Sequence, residues 1–267
     1  MDYVEQFRRE VEAFEAAARA AARAAGDGGV ALVPSCPGWS VADLTLHLGA
    51  AHRYVIRLIE EGLREPPQDH GPQYLGLPAD TAGWPDPEGG PHRGPLAESL
   101  LTWFVEGAAA LAELFAERDP AEPVWTWSEK QSVGFWLQMQ TIEAAVHRWD
   151  AQNALGDPRP IDRQLAADAV THTFEVMAPA RRRSQAAASG AGERMRFREA
   201  DGHRMWIVQT DPDEVLLNQG TGCCLVELSG TTSELMLFLW HRIRKEDLAV
   251  RGDEALLDRY FKLVPPM

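Results

Sequence analysis

Residues 44–48 read LTLHL and residues 143–150 read EAAVHRWD, and both stretches have the pattern of an α-helix. Each residue of an α-helix advances by about 100°, so Leu44, Leu48 and Val55 share an apolar face and His47 lies at its edge. In the second stretch Glu143 and His147 are four residues apart, one above the other on a single face. If the two helices pack together, all three side chains converge.

The converging side chains form a candidate metal site. Two imidazoles and one carboxylate suit zinc and leave one coordination position open. The other interpretation is a pair of amphipathic helices with buried, hydrogen-bonded histidines, since E-x-x-x-H is a common accidental spacing. Asp150 lies on the same side as His147 and is either a carboxylate that orients this ligand or an ordinary helix-end residue. His52 points well away from His47, and Arg148 is expected on the outer side with a structural role.

The segment that precedes the first stretch carries a family signature. Residues 36–48 read CPGWSVADLTLHL and lead directly into the His47 helix. With the later HRWD at 147–150, this segment resembles the mycothiol-dependent maleylpyruvate isomerase family, whose pattern is C-P-G-W-x-V-x-D-L-x-x-H-L followed by E-x-x-x-H-R-W-D. The resemblance covers nearly the whole chain. It implies an α+β protein, in which a DinB-like up-down four-helix bundle that binds a metal precedes a small α+β domain similar to sterol carrier proteins.

The resemblance also implies a chemistry. The cofactors would be Zn²⁺, or another divalent metal, and mycothiol, the small cysteinyl pseudodisaccharide of actinobacteria. A thiol bound to a metal becomes a thiolate near neutral pH. Its addition to an activated cis double bond allows rotation, and elimination then leaves the trans alkene. Displacement of a leaving group would instead make the protein a thiol S-transferase, and the ligand set of His47, Glu143 and His147 does not separate the two reactions.

The same resemblance places an arginine of the second domain at the acidic substrate or the thiol. Arg242 is preferred to the nearby Arg244, and Trp240 is expected to bind the cofactor with it; a solvated basic helix end is the alternative. Two other functions stay open for the whole chain: a non-catalytic module that binds a metal or a small ligand, and a zinc hydrolase that needs no thiol.

Cys36 is either an activated nucleophile or, more often for such a residue, a small buried one. We expect no cysteine of the chain to fill the open metal position.

The chain divides at the linker GDPRP, residues 156–160, into domains 1–156 and 157–267. Hydrophobic periodicity and turn signals predict the elements of both domains, with a Ser40–Asp43 capping box at the start of the second helix and a hairpin turn at Asp201-Gly202. The predicted helices are 3–25, 41–64, 96–117, 132–154, 162–183, 235–243 and one that starts at 253, and the predicted strands are 194–199, 203–210, 215–218, 224–229 and 248–250.

The proline-rich stretch 65–95 is predicted to be a long loop. Its aromatic and polar residues are His70, Tyr74, Trp84 and His92. Loops of this length inside a compact domain are usually functional or disordered. A cap over the metal site is the functional interpretation, and a surface excursion is the alternative.

Composition narrows the class of partner. The net charge of −14 and the pI near 5.0 disfavour nucleic acid and anionic membrane surfaces. No uninterrupted apolar stretch of membrane-spanning length is evident, and the N-terminus lacks a signal-peptide pattern. The 3 cysteines give no disulfide framework, which favours a cytoplasmic protein. The expected partners are mycothiol and a small electrophile, the expected state is a monomer or weak dimer, and abundant alanine and arginine agree with an actinobacterial source.

Overall fold

The computed structural model describes residues 1–67, 75–87, 89–184, 188–218 and 223–264. By internal contacts the chain splits into two compact units, Met1–Arg159 and Pro160–Met267. The first unit contains α1 (Tyr3–Ala25), α2 (Val41–Glu60), α3 (Glu98–Glu117) and α4 (Val133–Ala154). The second contains α5 (Arg163–His172), a π-helical turn (Thr173–Met177), α6 (Ala178–Ser184), β1 (Glu193–Glu199), β2 (Met205–Thr210), β3 (Val215–Asn218), β4 (Val226–Gly230), α7 (Thr232–Leu239), a 3₁₀ turn (Lys245–Asp247), β5 (Ala249–Gly252) and α8 (Glu254–Leu263).

Helix α2 has well-defined ends. A capping box starts it, because the Ser40 hydroxyl accepts a hydrogen bond from the Asp43 backbone while the Asp43 carboxylate accepts one from the Ser40 backbone. The helix ends at Glu60 rather than near residue 64 as predicted. Gly62 has a φ of 60°, and it closes the helix with the paired backbone hydrogen bonds of a Schellman motif.

A buried ion pair joins α1 to α4. Arg148 Nε lies 2.9 Å from Glu10 Oε2, and both side chains are almost completely buried. The expectation that Arg148 lies on the outer side was therefore wrong, because that side of α4 packs against α1. A buried cation in such a contact needs a counter-charge, which Glu10 provides.

Helix α3 is long and apolar enough to meet the composition criteria for a membrane span. About half of that stretch is buried inside the protein. Trp103 of α3 packs closely on α2 at Gly49, where any side chain larger than hydrogen would place its Cβ within 2.3 Å of the indole. Core helices of soluble proteins have the same composition, so we interpret α3 as a core helix of the bundle.

The second unit is built on a five-stranded sheet with the order β3-β2-β1-β4-β5. Strands β1 and β2 pair antiparallel around the predicted Asp201-Gly202 turn, and β1 pairs parallel with β4. Met195 and Phe197 on one face of β1 are completely buried. With the four-helix unit before it, this sheet confirms the predicted α+β class.

Helix α7 differs from its prediction. It spans Thr232–Leu239, whereas the sequence predicted 235–243. His241 takes a left-handed conformation with a φ of 58°, and the backbone N–H groups of His241 and Arg242 turn back to Phe238 and Leu237. This is again a Schellman ending, so Arg242 lies just beyond the helix.

Candidate metal centre

The three sequence-predicted ligands come together between α2 and α4. His47 Nε2 lies 3.2 Å from Glu143 Oε1, and the rings of His47 and His147 have centroids 5.0 Å apart. The potential ligand atoms of the three residues all lie within 4.8 Å of one another. The other oxygen of Glu143 accepts a hydrogen bond of 3.1 Å from Gln140, which holds the carboxylate in place.

A tight loop before α2 covers this cluster with Trp39. The Val33 N–H donates to the Trp39 carbonyl at 2.9 Å, and Gly38 between them has a φ of 92°, which favours glycine. The Trp39 ring lies 5.0 Å from the His47 ring and 6.3 Å from the His147 ring, nearly parallel to the latter. The indole therefore shields one side of the histidine pair from solvent.

Asp150 contacts His147 as the sequence suggested. Its Oδ2 lies 3.0 Å from His147 Nδ1, and the carboxylate is completely buried. The Ser35 hydroxyl donates to Oδ1 at 2.6 Å, and the Cys36 thiol lies 3.5 Å from Oδ2. A carboxylate on Nδ1 fixes the tautomer in which the opposite nitrogen carries the free lone pair. Ser35, to which the sequence assigned no role, therefore holds the residue that orients His147.

Cys36 lies closer to the site than the sequence suggested. It forms a second possible ligand group with His147 and Asp150. The expectation that no cysteine fills the open metal position was argued from the distance along the sequence between Cys36 and His47, whereas the loop before α2 brings Cys36 to Asp150. Both oxygens of Asp150 already accept hydrogen bonds, and its contact to His147 uses Nδ1. The group of His47, Glu143 and His147 is therefore the better candidate for a metal.

The Glu143 carboxylate is strongly favoured in its charged form. Burial by itself would raise the pKa of Glu143, but the hydrogen bond with His47 and the nearby imidazoles of His47, His147 and His52 lower this pKa to about 2. Glu143 is thus an anion at any physiological pH, as a metal ligand needs to be.

His52 belongs to the bundle core and not to the cluster. Its ring packs against Phe7 at 5.3 Å and Phe104 at 5.6 Å. Neither ring nitrogen has a hydrogen-bond partner among the described residues. Burial lowers the pKa of His52 to about 3, so the ring is neutral near pH 7. His52 and His47 are not a ligand pair, in agreement with the helical spacing.

A pocket of about 240 Å³ opens beside His47. One wall comes from the loop before α2 and from α2 itself, with Trp39, Asp43, Leu46 and Ala50. The other wall comes from the proline-rich stretch and includes Leu75, Leu77, Asp86, Pro87 and Gly89. The described part of the stretch therefore lies over the predicted site, which favours the cap interpretation. His70 and Tyr74 lie outside the described residues.

Two tryptophans anchor this stretch to α3. Trp84 packs on Trp103 with ring centroids 5.2 Å apart and donates its indole N–H to Ser99 at 2.9 Å. Trp103 in turn donates to the Gly76 carbonyl at 3.1 Å. His92, further along, donates its backbone N–H to Asp43 at 2.9 Å. These contacts attach the described part of the stretch to α3 at Gly76 and Trp84 and to α2 at His92.

Arg242 and Trp240 lie at the end of α7 in the second unit. The Arg242 guanidinium donates to the Trp240 carbonyl at 2.7 Å. Trp240 is buried, and its indole N–H has no hydrogen-bond partner among the described residues. Their role in binding the thiol or the substrate stays a prediction. An unpaired buried donor is the kind of group that a ligand satisfies.

The cluster fits a divalent metal. Ligand atoms about 2.0–2.1 Å from a tetrahedral zinc are about 3.3 Å apart, close to the spacing between His47 and Glu143. His147, one of the candidate ligands, has the buried carboxylate partner that is usual for a metal-binding histidine. A four-helix bundle with this candidate metal centre, joined to a sheet-containing unit, defines a two-domain protein of the α+β class.

Comparison with known families agrees with this class. The mycothiol maleylpyruvate isomerase N-terminal domain matches residues 7–152, and the MDMPI C-terminal domain matches residues 164–259. The chain therefore belongs to the mycothiol-dependent maleylpyruvate isomerase family.

Two solved structures share the fold. The mycothiol-dependent maleylpyruvate isomerase superposes with a TM-score of 0.61 at 12% identity, and the match covers 94% of this chain and 93% of that one. A variant of the same enzyme with a histidine replaced by alanine gives a TM-score of 0.59 at 13% identity and the same coverage. No curated protein matches the chain.

Proposed function

We propose that this protein is a metal- and mycothiol-dependent enzyme that acts on a small electrophile, either as a cis–trans isomerase of the maleylpyruvate isomerase type or as a thiol S-transferase. The observation that carries the proposal is the convergence of His47, Glu143 and His147 in a chain whose two units both match this family. The metal would be Zn²⁺ or another divalent ion. Mycothiol and the electrophile are the proposed partners.

The roles of the residues follow from their contacts. His47, Glu143 and His147 would hold the metal, which when bound would lower the pKa of a thiol in its open position. Asp150 keeps a proton on His147 Nδ1, so the opposite ring nitrogen carries the lone pair that would bind the metal. Trp39 shields the histidines on one side.

Two residues of the second unit are proposed to bind the thiol or the acidic part of a ligand. Arg242 supplies a cation, and Trp240 supplies an unpaired indole N–H. This assignment rests on the family resemblance together with that unpaired donor. Arg242→Ala should weaken mycothiol binding and leave bound metal unchanged. Arg244→Ala, at an exposed residue two positions on, is the matched control.

Calorimetry tests the proposal as a whole. A free thiol has a pKa near 8.5, so binding it as a thiolate near pH 7 must release a proton. Mycothiol is titrated into zinc-loaded protein in buffers of different ionisation enthalpy. We expect proton release in wild type and in the control His203→Ala, a histidine of the second unit. Metal-free protein and His147→Ala should show none.

Two outcomes would contradict this proposal. If the variant His147→Ala still binds a full equivalent of zinc, the assignment of His147 as a metal ligand is wrong. Turnover of an electrophile by zinc-loaded protein at the same rate with and without mycothiol would favour the thiol-independent hydrolase. The family membership of both units favours the enzyme over the non-catalytic module.

A further inference from the structure

Gln140 is a buried amide on α4 that the packing of the bundle does not explain. Its side chain is 2% exposed, on a helix whose buried residues are mainly apolar. Gln140 Nε2 donates to Glu143 Oε2 at 3.1 Å, three positions further along the same helix face. Gln140 Oε1 is buried and has no hydrogen-bond partner among the described residues. Such an amide destabilises the folded state relative to an apolar residue of the same size, so its contact with Glu143 points to a local role.

The carboxylate of Glu143 fixes the orientation of this amide. Rotation of a glutamine side chain exchanges its oxygen and its NH₂ group. With the oxygen turned toward Glu143, two acceptors would face each other, because an ionised carboxylate has no hydrogen to donate. Glu143 is ionised, since its pKa is lowered to about 2. Gln140 therefore presents its donor to Glu143.

The two oxygens of Glu143 face different groups. Oε1 lies 3.2 Å from His47 Nε2, beside another candidate ligand of the metal. Oε2 accepts the hydrogen bond from Gln140. A carboxylate can bind a metal through one oxygen or through both. For Glu143 to use both, Oε2 would have to give up this hydrogen bond, and the buried amide of Gln140 would lose the contact that the structure gives to its donor.

The number of oxygens that Glu143 uses decides whether a coordination position stays open. Two imidazoles and one carboxylate oxygen are three ligands, and a four-coordinate zinc then has one free position. A second carboxylate oxygen would compete with a thiol for that position. An unpaired buried amide is costly enough to disfavour the two-oxygen form by roughly tenfold to a hundredfold.

We propose that Gln140 is a positioning residue that restricts Glu143 to one metal-binding oxygen and so keeps the thiol position open. This inference rests on the proposed function, because it takes His47, Glu143 and His147 as the metal ligands and the open position as the thiol site. Loss of the amide then lowers the affinity for mycothiol and leaves the affinity for zinc unchanged or higher. A residue that only supports the fold would lower both affinities when replaced.

Gln140→Met tests the inference, because methionine fills a similar volume and has no N–H donor. Zinc affinity is measured by competition with a chelator, and mycothiol affinity by calorimetry on zinc-loaded protein. We expect zinc affinity at or above that of wild type and mycothiol affinity at least about tenfold lower. Gln138→Met is the matched control, since Gln138 lies on the same helix and its amide contacts the Tyr3 hydroxyl at 3.4 Å instead of the cluster. It should leave both affinities unchanged.

Cobalt(II) gives a readout that does not depend on the thiol. Its visible absorption is strong in a four-coordinate site and weaker when the coordination number rises. Cobalt-loaded Gln140→Met should therefore absorb more weakly than wild type, and Gln138→Met should match wild type. Gln140→Asn, whose amide is one methylene shorter, should behave like Gln140→Met. It serves as the second variant if circular dichroism shows that Gln140→Met does not fold.

The outcomes separate the inference from the proposed function. Mycothiol affinity within about threefold of wild type in zinc-loaded Gln140→Met overturns the inference, and so does an unchanged cobalt spectrum. Loss of zinc and mycothiol affinity together, or failure of both Gln140 variants to fold, shows that the amide only supports the structure and also overturns it. These results leave the proposed function standing. Failure of wild type to bind a divalent metal at the cluster, or to bind mycothiol once loaded, overturns the proposed function, and the inference falls with it.

Discussion

The contact between Asp150 and His147 allows a sharp test of the metal centre. We expect Asp150→Asn to reduce zinc affinity while the bundle stays folded. The buried carboxylate accepts from His147 Nδ1 at 3.0 Å and from the Ser35 hydroxyl at 2.6 Å. An asparagine can still accept a hydrogen bond from one of these two groups. It lacks the negative charge that makes His147 a stronger ligand for a metal. Loss of such a carboxylate typically costs 10- to 100-fold in metal affinity, or about 1.4–2.8 kcal/mol.

Competition with a chromogenic chelator measures the zinc affinity, and circular dichroism checks the helical content. Asp157→Asn is the matched control, since this aspartate is exposed and follows α4. Ser35→Ala should give a smaller loss than Asp150→Asn, because it removes one hydrogen bond and leaves the charge. If folded Asp150→Asn binds zinc within about threefold of wild type, Asp150 does not orient a metal ligand and its positioning role is wrong.

Three further predictions concern the cap, the core and the second unit. Trp84→Ala removes the packing on Trp103, so we expect a change in turnover that exceeds the change in melting temperature; unaltered kinetics would show that the cap is only a surface excursion. His52→Leu should raise the free energy of unfolding at pH 7 by about 1–3 kcal/mol, as it removes unpaired buried nitrogens. The gain should grow as pH falls from about 6.5 toward 3, because only the unfolded state then protonates His52, and a pH-independent gain in denaturant titrations would contradict this explanation. The Arg163 guanidinium lowers the pKa of Glu199 to about 2. The stability that this contact gives is present above about pH 4.5 and is lost as pH falls toward 2. Glu199→Gln should therefore reduce the loss of unfolding free energy between about pH 4.5 and 2, and an unchanged pH dependence would contradict this explanation.

Local signals predicted much of the bundle. The capping box of Ser40 and Asp43 fixed the start of α2, and the four-residue spacing of Glu143 and His147 placed both on one face of α4. Such features depend on residues within one turn of helix, which is why the sequence alone reveals them. The helices that close at Gly62 and His241 end earlier than their apolar periodicity predicted, because the hydrogen bonds of a Schellman motif stop each helix there.

The surroundings of the candidate ligands come from contacts between distant segments of the chain. Ser35 and Cys36 reach Asp150 across more than 110 positions of sequence, and Arg148 pairs with Glu10 across 138. The sheet order, with β1 parallel to β4, is equally non-local. The sequence determined the helices, the spacing of the three ligands and the family. Packing determined their partners, because contacts between distant segments depend on how whole elements fit together and leave no periodic pattern in the chain.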